Sequence, residues 1–228
     1  MARAPVLRFT WPNMSESQKP IIKPLLRGHF HQGAFFFSLG ACAMLIAKSH
    51  ELVSIISMLI YSLSLCGLFG ISALYHRVQW STERRAWMRR LDHSSIFVLI
   101  AGSATPICLL ALSRESASRV LVFIWIATVM GVIQSLFWVN APKWLSAVLY
   151  VSVGWMVAPY LREFHATLGI AKVTLLLLGG LVYTIGALVY AFRYPNPSPR
   201  YFGYHEIFHL LVIVGAAFHF VVILGLVN

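Results

Sequence analysis

Seven separate stretches of this chain are too long and too apolar to sit comfortably in water. They are about His31–Ala47, Leu52–Tyr75, Asp92–Leu112, Arg119–Val139, Lys143–Leu161, Ile170–Phe192 and His205–Val227. A helix needs roughly 20 such residues to cross the hydrocarbon core of a bilayer. Within that core the backbone N–H and C=O groups must be satisfied inside the segment itself, which favours helices for runs of this kind. The pattern predicts an all-α polytopic membrane protein, a bundle of seven transmembrane helices. Composition agrees, since only 11% of the 228 residues are charged, against about a quarter in an ordinary soluble domain.

The charges are unevenly shared between the two ends of the predicted bundle. Thirteen of the eighteen Lys and Arg residues fall on the N-terminal side, among them Arg77, Arg84, Arg85, Arg89, Arg90 and Lys143. The other side carries Lys48, Arg114, Arg119, Arg162 and Lys172. Cationic residues collect in cytoplasmic loops, so the N-terminus is expected in the cytoplasm and the C-terminus outside. The same rule accounts for the net charge of +11 without a nucleic-acid partner, and no basic stripe is interleaved with exposed aromatics.

Residues 1–30 read as a basic cytoplasmic segment, touching anionic lipid through Phe9 and Trp11, and residues 31–228 as the transmembrane domain. The N-terminal segment lacks the apolar core and cleavage site of a signal peptide. Arg77–Leu91, with Trp80 and Trp87, reads as a short interfacial helix. Arg193–Gly203 contains Pro195, Pro197 and Pro199 and reads as a loop, because each proline lacks an amide donor. Cys42, Cys66 and Cys108 all lie inside apolar runs and imply neither disulfides nor a thiolate metal site.

Against this apolar background the histidines stand out. His205 and His209 open the last run, four residues apart, which on a helix places them on one face about 40° apart. Two imidazoles so placed can share a metal ion. The text His205-Glu-Ile-Phe-His209 also spells the zinc-peptidase pattern. The longer metzincin form fails, because Val212 and Gly215 stand where its Gly and third His would be. No acid follows Glu206, so a third ligand must come from upstream. The best placed is His76, at the cytoplasmic end of the second run. Three histidines with the fourth position left for water form the layout of a catalytic zinc. Asp92, at the same depth, is placed to bind that water or act as general base, and Ser72, one turn before His76, lies on the same face.

The ordered pieces Ser72-Ala-Leu-Tyr-His76, Leu91-Asp-His-Ser-Ser-Ile-Phe97 with Ile100-Ala-Gly-Ser-Ala-Thr-Pro106, and Tyr204-His-Glu-Ile-Phe-His209 with Ala216-Ala-Phe-His219 resemble the hemolysin III family. That family belongs to the progestin and adipoQ receptor superfamily, which includes the adiponectin receptors. The resemblance runs from about His31 to the C-terminus. It implies a seven-helix bundle with a zinc ion held by His76, His205 and His209, and with Ser72 and Asp92 contacting zinc-bound water. Its zinc motif does not reserve the position of Glu206 for an acid, so the peptidase spelling is a coincidence. The short length favours the bacterial-type branch and an inner-membrane location.

The function expected on these grounds is zinc-dependent hydrolysis of a lipid amide, ceramide-like or related, in the plane of the bilayer and in the service of membrane lipid homeostasis. A second reading is a membrane-homeostasis sensor in which zinc is structural and ties the second and seventh helices together. A third, a pore-forming cytolysin, rests on the family name and finds no support in helices with so few buried charges. Of the remaining polar residues, His31 is expected beside the metal or substrate, and His93 at a packing or interfacial position. His219 and Gln134 are expected to make interhelical hydrogen bonds.

Overall fold

Small residues decide which helix occupies the middle of the bundle. In the computed structural model, which describes residues 24–227, every residue of Ala101–Cys108 is buried. A helix buried all round its circumference belongs at the centre of an assembly. This helix, Thr82–Ala111, packs against five of the other six. In chain order the helices are α1 (His29–Ala47), α2 (Leu52–Arg77), α3 (Thr82–Ala111), α4 (Arg114–Phe137), α5 (Lys143–Gly154), α6 (Leu161–Phe192) and α7 (Tyr204–Leu224). A short 3₁₀ turn, Trp155–Tyr160, joins α5 to α6.

Successive helices pack on one another, and α1 also meets α7. The approach of α2 to α3 depends on Gly102, where a Cβ would overlap the side chain of Ser64. Close backbone contact through small residues is how helices associate where lipid offers no hydrophobic incentive. The outer faces are apolar: Phe37 is 79% exposed and Leu63 is 73% exposed. In water such a surface would drive aggregation; against hydrocarbon it is the proper solvent-facing side.

Six helical stretches are long and apolar enough to cross a membrane when Lys143–Phe192 is taken as one of 50 residues. That stretch is not a rod. Gly169 breaks it with φ 74 and ψ 168, a left-handed conformation that glycine adopts at little cost. Trp155 Nε1 donates to Thr184 Oγ1 at 3.0 Å across a separation of 29 residues, which a straight helix would hold roughly 43 Å apart. The chain folds back on itself here.

Several boundaries differ from the sequence expectation. The interfacial helix expected over Arg77–Leu91 is not a separate element, because α3 runs unbroken from Thr82. Nothing between Thr82 and Leu91 interrupts a helix, and Glu83, Arg84, Arg85 and Ala86 are good helix formers. The fourth helix begins at Arg114 rather than Arg119, where Ser113 accepts a hydrogen bond from the Ser116 amide at 3.3 Å. The fifth apolar run does not end at Leu161; helical backbone continues through Leu168 to the break at Gly169. The first helix begins at His29, two residues early. Most of the expected basic segment, with Phe9 and Trp11, lies outside the described residues. Its end does not hang free: the amides of Leu25 and Leu26 donate to the carbonyls of Arg200 and Tyr201 at 3.0 and 3.2 Å.

Candidate metal centre

Three histidines from two helices converge at one end of the bundle. His76 is the penultimate residue of α2, while His205 and His209 lie in the first two turns of α7. One ligating nitrogen from each lies within 4.8 Å of the others, a grouping that can hold a metal ion. The Nε2 atoms of His76 and His205 are 3.1 Å apart. His76 and His209 are 6% and 2% exposed, so the donors sit where water competes poorly. Gly28, just before α1, lies against His76: a Cβ on it would come within 2.6 Å of the histidine Cβ. That close approach keeps the end of α2 pressed towards α1.

Asp92 comes from α3. Its Oδ2 is 3.9 Å from His76 Nε2, and the Ser72 side chain, one turn before His76, lies within hydrogen-bonding reach of it. Asp92 is ten residues inside α3 and caps nothing. The sequence-based grouping of Ser72, His76, Asp92, His205 and His209 is therefore one cluster in space. His31 joins it from α1, stacked on His209 with ring centroids 3.8 Å apart and planes 6° from parallel. Among the described residues, neither ring nitrogen of His31 finds a hydrogen-bond partner.

Other residues have different company. His93 is half-buried and offers its backbone carbonyl to the Tyr150 hydroxyl at 3.4 Å. His219 makes the interhelical bond expected of it, from Nε2 to the Leu176 carbonyl at 3.2 Å. Gln134 does not: its amide reaches the Trp138 carbonyl just past the end of its own helix, at 3.4 Å, one turn on, where that carbonyl also accepts the Ala141 amide at 3.0 Å.

Glu206 carries a role that spacing alone did not reveal. It is 0% exposed and forms an ion pair with Arg27. Its other oxygen accepts the Gly203 amide at 2.8 Å, closing the start of α7. The carboxylate thus faces away from metal chemistry and towards the chain entering α1. The only sequence signal for this was an acid in the first turn of a helix, the position that relieves unpaired amides. Arg27, 179 residues away, gave no signal at all. Lys143 is a second unforeseen neighbour, donating to the Tyr204 hydroxyl at 2.8 Å beside the first metal-competent histidine of α7.

From this cluster a cavity of about 140 Å³ runs into the bundle. His31, Ser72, Asp92 and His209 line one end, and Tyr183 and His219 the other. The wall between is mainly apolar, with Leu99, Ile107, Ile124, Leu176 and Val212 among its residues. Along α7 the two ends are ten residues apart, or roughly 15 Å.

Fold and site together define a multi-pass helical membrane protein with a buried three-histidine cluster at the head of an apolar cavity. The haemolysin-III related family profile matches residues 20–220, and the chain belongs to that family. It is 30% identical over 170 residues to a hemolysin-3 homolog of Bacillus subtilis, covering 75% of this chain and 76% of that one. It is 29% identical over 179 residues to hemolysin-3 of Bacillus cereus, covering 78% of both. The adiponectin receptor protein of Drosophila melanogaster is 28% identical over 169 residues, covering 66% of this chain but 38% of its own length. The resemblance read from the motifs is thereby established.

Proposed function

We propose that this protein crosses the bacterial inner membrane seven times, with its N-terminus in the cytoplasm, and hydrolyses a lipid amide at a zinc ion held by His76, His205 and His209. The seventh crossing comes from the reversal at Gly169, which divides Lys143–Phe192 into two arms, each of roughly the length a bilayer requires. The observation that carries the catalytic reading is the juxtaposition of the histidine cluster, a neighbouring carboxylate and a mainly apolar cavity.

The residues suit zinc. Three imidazoles supply neutral nitrogen donors within 4.8 Å of one another, and the family of catalytic zinc sites uses three protein ligands with one position open. Held there, zinc supplies Lewis acidity and makes water nucleophilic near neutral pH. The rest falls to the chain. Asp92, 3.9 Å from His76, takes the proton from the attacking water and delivers it to the leaving amine, the work of a general base and then a general acid. Ser72 holds the Asp92 carboxylate in place. The cavity wall binds the acyl chain, so that burial of its methylenes positions the amide carbonyl beside the carboxylate.

The test is purified, reconstituted protein with full zinc occupancy, offered a broad panel of acyl-chain amides, with free fatty acid measured by mass spectrometry. Release of fatty acid that disappears in Asp92→Asn supports the reading; no release across the panel rejects it. A second reading is favoured by the direct contact of His76 with His205, which bridges α2 and α7. In it zinc clamps the bundle of a non-enzymatic membrane-homeostasis regulator.

A further inference from the structure

The far end of the cavity is not apolar. Tyr183 and His219 both line it, their rings meeting edge to face with centroids 5.3 Å apart. Among the described residues, the hydroxyl of Tyr183 and Nδ1 of His219 are each buried without a hydrogen-bond partner. Buried polar groups in native proteins are almost always paired, with protein, water or ligand. Two such groups side by side at one end of a cavity inside a membrane domain therefore mark a place where something else binds.

The chemistry of that partner follows from the tautomer. His219 donates through Nε2 to the Leu176 carbonyl at 3.2 Å, so the neutral ring presents Nδ1 as a lone-pair acceptor. A tyrosine hydroxyl both donates and accepts. A group that gives a proton to Nδ1 and receives one from tyrosine satisfies both. A carboxylate or ketone accepts only; an alkyl chain does neither. A hydroxyl does both.

We infer that His219 and Tyr183 form a hydroxyl-binding subsite, which selects lipid chains bearing a hydroxyl roughly mid-chain, about 15 Å from the histidine cluster by the rise of α7. The inference rests on the cavity accepting a lipid chain, but not on that chain being cleaved. It assigns the two ends of the cavity different tasks: the metal end takes the head of the lipid, and the His219 end reads its chain.

The experiment measures binding of two probes that differ in one group, hydroxystearamide with its hydroxyl in mid-chain and stearamide. Affinities are read in nanodiscs for metal-free protein and for zinc-loaded Asp92→Asn, neither of which is expected to turn the probes over, so the outcome is independent of hydrolysis. The wild type is expected to prefer the hydroxylated probe by roughly fivefold to tenfold, the worth of one buried hydrogen bond. Tyr183→Phe and His219→Phe should each reduce that preference, read as the ratio of the two affinities in the same variant, to within about twofold. Equal affinities in the wild type would mean that water satisfies the subsite, and would overturn the proposal. So would a preference that survives both substitutions, or failure of either probe to bind at all. If hydrolysis is absent but the preference is found, the catalytic reading falls and the subsite stands.

Discussion

His31 lies flat against His209, with ring centroids 3.8 Å apart and planes within 6° of parallel. The stack fixes the orientation of one metal-competent imidazole from a helix that contributes no member of the three-histidine group. Groups that orient a ligand are commonly worth 10- to 100-fold in metal affinity. His31→Leu is expected to weaken zinc binding by about tenfold without abolishing it, as measured by competition with a chromogenic chelator. Unchanged affinity would show that the stack is packing and nothing more.

Removing a member of the group has a larger effect. Wild-type protein should carry near one zinc per chain by elemental analysis, and His209→Ala should carry almost none. Retention of zinc in the variant would move the metal elsewhere.

Asp92 separates the catalytic reading from the structural one. With its Oδ2 3.9 Å from His76 Nε2, its replacement by Asn keeps the shape of the site but removes the base. Zinc content should be preserved while amide cleavage falls by roughly 10²- to 10⁴-fold. If zinc is only a clamp, Asp92→Asn will leave function in cells intact, and His76→Ala will lower the melting temperature.

Glu206 makes the opposite case. Its carboxylate is spent on Arg27 and the Gly203 amide. Glu206→Gln should therefore leave zinc content and any hydrolysis near wild-type levels. Stability should drop by about 1–3 kcal/mol, the usual cost of an unsatisfied buried polar partner, seen as earlier thermal unfolding in detergent. Loss of activity with unchanged stability would restore the peptidase reading.

The α2–α3 contact offers a test of packing alone. Gly102→Ala places a methyl against Ser64, and overpacking of this kind costs about 1–3 kcal/mol. Ser64→Gly in the same chain should recover most of the loss. Additive destabilisation in the double variant would mean the two residues do not meet.

The sequence carried the membrane class, the helical state and the five residues that converge at the cluster, because each depends on local properties. Apolar runs report burial in lipid, and ligands at i and i+4 share a helix face whatever the tertiary structure. Shared depth at the same side of the second and third runs then supplied His76 and Asp92 together. What stayed hidden depends on surroundings that no run encodes. The Arg27–Glu206 pair joins residues with no shared periodicity. The unity of α3 from Thr82 onward was obscured because polarity changes at Asp92 while helix propensity does not. Gly169 is one glycine among fifteen, and what distinguishes it is a positive φ inside a helical run, a property of the folded backbone. The metal-end cavity wall follows from motifs; the orphaned hydroxyl of Tyr183 does not.

The separation of His76 from His205 by 129 residues has a consequence for how the protein comes into being. Synthesis is vectorial, so α2 enters the membrane while α7 has yet to be made. A nascent chain holding His76 and Asp92 has only part of a site, and it stays partial until the final helix arrives. Arg27 likewise waits for Glu206, and the amides of Leu25 and Leu26 wait for Arg200 and Tyr201. Uptake of a metal by the three histidines would have to wait for α7, so that loading would report that α2 and α7 have met.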